Sequence, residues 1–261
     1  MSKKQKILIL SDLKSKTPDV LRQAIALSKI IPSDLEFLHV KKPTELVKTE
    51  SQLSAVRVIN ESTKIAKKKI KDLLEPITEK YGTKVNYKYS FGNIKNEIEK
   101  YIKSSKPDII VLGKRRSNTL SFVGDNIIDF VLRSHKGAVY IASHKSKIAP
   151  ENNLSVGIFN EVESNLENNN LIQRLVEFST IPLKHFKIGV KSDDREHNDM
   201  FLSKKTVEYV FEDSSDVISV ISNYIPKSKV NLLCLNRNRN FSKNKNIKEI
   251  IRSVDVSAFI T

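Results

Sequence analysis

Pro107–Arg116 (PDIIVLGKRR) and Val230–Arg239 (VNLLCLNRNR) are one passage written twice. Each opens on a polar turn, runs through four apolar residues (Ile109 to Leu112, Leu232 to Leu235), and leaves through a small or amide residue into cations. A short unbroken apolar run with polar ends reads as a parallel strand buried on both faces. The match holds at a constant offset and extends outward: Ile221, Tyr224 and Ile225 stand where Ile98, Tyr101 and Ile102 stand. Downstream, Asn246–Ser253 (NIKEIIRS) answers Asn126–Ser134 (NIIDFVLRS) with one residue deleted. Self-similarity at a fixed spacing is the mark of a duplicated unit.

Within the first copy, KILILSD (residues 6–12) is a second buried strand, and Thr17-Pro18-Asp19 starts a helix. Thr is the expected N-cap, Pro fits the first helical position, and Asp suits the positive end of the helix dipole. Leu21, Ala24 and Ile25 form its apolar stripe, and Pro32 ends it before the strand LEFLHV (residues 35–40). From about Leu46 to Tyr81, Ile65, Ile70, Leu73, Leu74 and Ile77 keep a helical period among charged residues, which predicts one long amphipathic helix stopped by Gly82. Val85, Tyr87 and Tyr89 alternate as a strand. Gly92-Asn93 opens a helix with Ile94, Ile98, Tyr101 and Ile102 inward, and Ala138–Ile141 is the last strand. The order βαβαβαβαβ implies a parallel sheet with helices on both faces.

The second copy repeats that order. Leu154–Asn160 answers the first strand, Leu171–Phe178 the first helix, and Phe186–Val190 answers Glu36–Val40. Val207, Tyr209 and Phe211 take the places of Val85, Tyr87 and Tyr89. Too few residues lie between Val190 and Val207 for a counterpart of the long second helix. Lysines and Pro150 break the apolar pattern near residues 143–153, so the expected α/β domains are 1–146 and 147–261.

Composition narrows the function classes. The chain has 261 residues, a formal charge of +15 and a single cysteine, Cys234, so it holds no intrachain disulfide and no zinc site built on Cys spacing. The apolar run at Ile7–Leu10 is too short for a signal-peptide core, and no stretch approaches the ~20 apolar residues of a membrane span. The expectation is a cytoplasmic protein without a membrane partner. Its lysines are scattered and rarely interleaved with aromatics, and no nucleic-acid-binding signature accompanies them. A solvated basic surface or an acidic small ligand therefore explains the charge better than nucleic acid.

In an open parallel sheet, ligands bind beyond the carboxyl ends of the strands, where the strand order reverses. Ser11-Asp12, Val40-Lys41 and the segment from Gly113 to Asn126 reach that edge. A carboxylate after the first strand can accept hydrogen bonds from a ribose or an adenine edge, and Gly113 permits close backbone approach. Lys114, Arg115 and Arg116 supply positive charge, and amides at the start of the Asn126 helix can bind phosphate.

LILSD, LEFLHV, PDIIVLG and GKRRSNTLSFVGDNIIDFVLRS together resemble the successive signatures of a universal stress protein domain. The resemblance covers the first half and, more weakly, the second, and so identifies the chain as a tandem-domain member with a degenerate second domain. It implies a Rossmann-like fold in both halves, each with a mostly parallel five-stranded sheet, the second lacking the long second helix. It also implies ATP or another adenine nucleotide as a regulatory ligand in the first domain, with magnesium only alongside a triphosphate.

ATP-binding members carry a loop of the form G-x2-G-x9-G-[ST]. Gly113 matches its first glycine, Arg116 replaces the second, and Gly124 stands near the final pair with Asp125 and Asn126 after it. On the resemblance, Ser11 and Asp12 would hold the ribose or base side, Val40 would line the base, and Gly113, Lys114, Arg115, Arg116, Gly124, Asp125 and Asn126 would surround the phosphates. It implies too that the last strands, Val139–Ala142 and Ser257–Ile260, pair within the chain, with a homodimer or an unidentified protein partner beyond that. In the second half Glu161 roughly replaces Asp12 and Asn236 replaces Gly113, so that half is expected to pack rather than bind.

Catalysis is not expected. Ser11, Asp12 and His39 lack a G-x-S-x-G elbow, and His39 suits a core histidine. Asp193–His197 (DDREH) reads as a solvated turn and Asp213–Asp216 as a helix cap, not as metal ligands. A ligand-free interaction module built on the paired domains is the alternative function.

Overall fold

The computed structural model describes residues 4–43, 52–114, 127–145, 148, 153–160, 166–189, 204–237 and 247–261. The first half runs β1 (Gln5–Ser11), α1 (Thr17–Ile30), β2 (Ser33–Lys41), α2 (Gln52–Tyr81), β3 (Val85–Phe91), α3 (Ile94–Ser105), β4 (Ile109–Gly113), α4 (Ile127–Ser134) and β5 (Ala138–Ala142). The second runs β6 (Val156–Phe159), α5 (Leu166–Phe178), β7 (Leu183–Ile188), β8 (Thr206–Phe211), α6 (Val217–Lys227), β9 (Leu232–Leu235), α7 (Ile247–Ser253) and β10 (Ser257–Ile260). These are the two tandem Rossmann-like units read from the repeat, and only residues 189–205 stand where the first half has its 30-residue α2.

All strands belong to one ten-stranded sheet in the order β3-β2-β1-β4-β5-β10-β9-β6-β7-β8. Pairing is parallel within each half. At the centre β5 and β10 join antiparallel, with Ile141 opposite Ala258, Tyr140 opposite Phe259 and Val139 opposite Ile260. The two last strands thus cover each other's edges within the chain.

The core is organised by sheet face, not by half. On one face Ile7, Ile9, Leu21 and Ile25 share a cluster with Ile172 and Leu175 of α5, and α2 adds Ile70 and Leu74. On the other, Leu8, Ile110 and Val131 share a cluster with Ile221, Leu233 and Ile250. Each cluster crosses the β5–β10 junction.

Backbone details confirm the duplication. Lys106 after α3 and Lys229 after α6 both adopt left-handed conformations, with φ 47° and 61°. Asp108 and Asn231 then play the same part. Asp108 accepts from the Lys6 amide at 2.7 Å and Asn231 from the Ser155 amide at 2.9 Å, so each fixes the start of the adjoining strand.

Two correspondences differ from the sequence reading. In the first, the pairs Leu8↔Glu36 and Gly157↔Lys184 place Lys184, not Phe186, level with Glu36, a two-residue offset that keeps the face. In the second, Val85, Tyr87 and Tyr89 of β3 pack on the α1–α2 face, whereas Tyr209 and Phe211 of β8 pack on the α6–α7 face. The pairs Leu35↔Val85 and Leu183↔Thr206 place Thr206, not Val207, level with Val85. A one-residue slip sends every side chain of a strand to the opposite face. Too few residues separate β7 from β8 for a helix as long as α2, and the apolar set of β8 lies on the face that α6 covers. Phe186 and Tyr209 stack there with ring centroids 5.3 Å apart, and Tyr224 of α6 lies 5.1 Å from Tyr209.

A buried polar network sits beneath the junction. Gln23 of α1, 1 % exposed, accepts from Tyr140 Oη and from Ser257 Oγ at 2.8 Å each, and donates to the Ser143 carbonyl at 2.9 Å. Ser257 Oγ in turn accepts from the Ser143 amide at 3.0 Å. Removing the hub of such a network strands several buried groups at once. Gln23→Ala should therefore cost about 2–3 kcal/mol in urea denaturation, and Tyr140→Phe, which removes one donor, about 1 kcal/mol.

His135, just after α4, is 5 % exposed, and its Nε2 has no hydrogen-bond partner among the described residues. Burial first, and the neighbouring Arg237 cation second, push its pKa down to about 4. The unfolded chain takes up this proton near pH 6.5, whereas the fold resists it until about pH 4. Stability is thus fully present above pH 6.5 and falls as pH drops toward 4, by on the order of 2 kcal/mol. Denaturation midpoints measured across that range should show the slope in the natural protein and a flatter profile in His135→Gln.

Candidate functional site

From β1 the chain builds outward to β2 and β3, then returns to the other side of β1 as β4 and β5. The reversal places a crevice beyond the carboxyl ends of β1 and β4. Ser11 and Gly113 meet there, each one residue past the Leu10↔Leu112 pair.

The turn leaving β1 is held by its own polar groups. Ser11 Oγ accepts from the Leu13 amide at 3.1 Å, and Asp12 Oδ1 accepts from the Lys14 amide at 3.1 Å, a local carboxylate-to-backbone turn. Leu13 between them has φ 54°, a left-handed conformation that a branched residue adopts only where its surroundings fix it. Thr17, expected as the N-cap of α1, is its first helical residue, and its hydroxyl shares a 2.9 Å hydrogen bond with Ser11 Oγ. Sequence reasoning missed this tie between strand exit and helix entry. Its only signal was a Thr a few residues past a Ser.

β2 contributes two groups. His39 donates through Nδ1 to the Ser11 carbonyl at 2.8 Å, is 8 % exposed, and lies 6.0 Å from the Tyr89 ring. It is a hydrogen-bonded core histidine, as its place in a strand predicted. Val40 is 8 % exposed, and its side chain belongs to the cluster on the α3–α4 face. Lys41 turns away toward α2 and donates to Ser62 Oγ at 2.8 Å.

At the β4 exit, a Cβ on Gly113 would lie 2.9 Å from Val20 Cγ2. The missing side chain lets α1 settle against the sheet, a packing role separate from any ligand. The Lys114 amide donates to the Ala142 carbonyl at 2.8 Å, and its ammonium donates to the Val254 carbonyl at 2.6 Å, at the end of α7 in the second half. Burial lowers its pKa, with Asp255 opposing that shift. The structure therefore places this cation at the seam between the halves, not over the crevice where the resemblance puts it. Arg115, Arg116, Gly124, Asp125 and Asn126 lie outside the described residues, as do Asp193–His197 and Glu161.

Elsewhere the candidates resolve simply. Cys234 is fully buried and burial pushes its thiol up to about 12, which fits a strand thiol without nucleophilic character. Asp216 is the N-cap residue of α6, but its carboxylate accepts from Ser214 Oγ at 2.8 Å instead of from a helix amide. Among the described residues, no group of three or more His, Cys, Asp or Glu could hold a metal ion, and no helix is long and apolar enough to cross a membrane.

The sequence profile of the universal stress protein family matches residues 4–142. No curated protein matches. Among solved structures, the chain is similar to a universal stress protein from Archaeoglobus fulgidus, at 14 % identity and a TM-score of 0.69, covering 98 % of this chain and 95 % of that one. It is also similar to a functionally unknown protein from Pseudomonas aeruginosa, at 11 % identity and a TM-score of 0.64, covering 98 % and 92 %. At these identities the likeness concerns the fold, and it spans both halves.

The packing role of Gly113 can be separated from any other. Gly113→Ala should lose about 1–2 kcal/mol of stability by overpacking against Val20. Val20→Ala in the same chain should recover most of that penalty in a denaturation cycle. A loss that persists in the double variant would place the demand for glycine elsewhere.

Proposed function

The chain belongs to the universal stress protein family, and from that premise we propose that its first domain, residues 1–146, binds ATP or another adenine nucleotide at the β1–β4 crevice as a regulatory ligand. The observation that carries this reading is the convergence of Ser11, Asp12 and Gly113 at the one point of the first half where strand order reverses. The Asp12 carboxylate, oriented by its bond from the Lys14 amide, is the acceptor for a ribose hydroxyl or an adenine amine. Val40 presents its rim to the base. On the family resemblance, Arg115, Arg116, Gly124, Asp125 and Asn126 would surround the phosphates, with magnesium only alongside a triphosphate.

Such a protein acts by binding and not by turnover. The ligand state is passed to a protein partner through the surface of the paired domains, in the cytoplasm. Residues 147–261 form the second domain, whose work is to pack against the first.

A second reading, a ligand-free interaction module, draws on Lys114. Its ammonium is spent on Val254, so one of the cations expected at the phosphates is already committed.

Mass spectrometry of small molecules released from heat-denatured protein, with a calorimetric ATP titration alongside, decides between them. The nucleotide reading expects about one adenine nucleotide per chain, and Asp12→Ala weakening ATP binding about tenfold. An empty protein that ignores millimolar ATP would sink that reading and leave the interaction module.

A further inference from the structure

Lys114 has a counterpart. Arg237 follows β9 as Lys114 follows β4, and the two occupy matching places in the passage that appears twice. Their backbones do the same thing: the Lys114 amide donates to the Ala142 carbonyl and the Arg237 amide to the Thr261 carbonyl, both at 2.8 Å. Their side chains do the same thing too, each in the other half. The Lys114 ammonium reaches the Val254 carbonyl, the first residue beyond α7. The Arg237 guanidinium reaches the His135 carbonyl, the first residue beyond α4, and the Gly137 carbonyl at 2.7 Å.

The last carbonyls of a helix have no partners within it and carry the negative end of its dipole, so a cation is the capping group they favour. Here neither half caps its own last helix from this position; each caps the other's. The ties are partly buried, which raises their worth above that of surface ion pairs.

We propose that Lys114 and Arg237 form a reciprocal clasp, through which each half positions the last helix of the other. The consequence is directional. Residues 115–126, which carry Arg115, Arg116 and Gly124 of the family resemblance, are flanked by Lys114 and by α4. Both flanks are held by groups of the second half: Val254 takes the Lys114 ammonium, and Arg237 takes the carbonyls after α4. The second half, which lacks the glycine and aspartate of the candidate crevice, thus has a positioning role toward the first. This inference does not depend on nucleotide binding.

The test is hydrogen exchange on the full-length chain without ligand, comparing the natural protein with Arg237→Met, Lys114→Met and Lys114→Arg. The clasp expects a crossed pattern. Arg237→Met should speed exchange of the last-turn amides of α4, Val131 to His135, by about five- to tenfold, and leave those of α7 nearly unchanged. Lys114→Met should do the converse, speeding Ile250 to Val254, and Lys114→Arg should restore most of the protection. Exchange that rises only in the half carrying the substitution, or in neither helix, would overturn the proposal. Should Arg237→Met fail to fold, Lys114→Met and its Arg rescue test the clasp from the other side.

Discussion

The antiparallel pairing of β5 with β10 is the constraint on which the rest of the molecule rests. Both strands are buried along their whole length, with burial on every residue from Ala138 to Ala142 and from Ser257 to Ile260. Either strand alone would be a flat apolar edge with unpaired backbone groups, a form natural proteins avoid exposing. Joined, they satisfy each other's edges and let two clusters run unbroken across the sheet, one on each face. The register cannot drift, because the Gln23 network reaches Tyr140 of β5 and Ser257 of β10 together. A slip would bury several polar groups without partners, at a cost that apolar packing does not recover.

That shared core explains how the second half tolerates the loss of a helix. In the first half α2 covers the outer part of one face, and β2 carries Leu35 and Phe37 beneath it. In the second half the strand level with β2 reads LKHFKI, and its side chains on the face opposite α6 include His185 and Lys187. Both face Glu208 of β8, His185 at 3.6 Å and Lys187 at 2.7 Å. These groups are polar, while the opposite face keeps Phe186, Ile188, Tyr209 and Phe211 against α6. The register change of β8 belongs to the same adjustment.

Much of this was legible in the sequence, for a physical reason. Buried parallel strands must be continuous apolar runs, and two such runs in matching contexts declare both the sheet and the duplication. The left-handed residues Lys106 and Lys229, just past α3 and α6, are not glycines, yet they fell inside the repeat and came with it. What stayed hidden was side-chain direction. Val207, Tyr209 and Phe211 alternate as well as Val85, Tyr87 and Tyr89 do, and alternation does not say which face is inward. Lys114 beside Arg115 and Arg116 reads as phosphate charge, because its true partner lies in another half of the chain, 140 residues away. Gly113 suggested backbone room for a ligand, whereas the atom it makes room for is Val20 Cγ2.

Two copies in one chain also act as two solutions to one folding problem, and comparing them separates scaffold from specialisation. Asp108 and Asn231 both clamp the start of a strand, one with a carboxylate and one with an amide, so this position needs an acceptor oxygen rather than a charge. Lys114 and Arg237 both cap a helix of the opposite half, so a cation there serves the joining of the halves. Both features recur in the half where Glu161 and Asn236 replace Asp12 and Gly113, so both are accounted for by the fold alone. Asp12 and Gly113 do not recur: Glu161 and Asn236 stand in their places. Asn236 is 1 % exposed, so the second half buries a side chain at the position where the first half has a glycine packed against Val20. Of the residues that the resemblance groups around the phosphates, Lys114 therefore belongs to the scaffold. Asp12 sits in a turn held by Ser11 and Thr17, and the second half carries Glu161 in its place in the sequence.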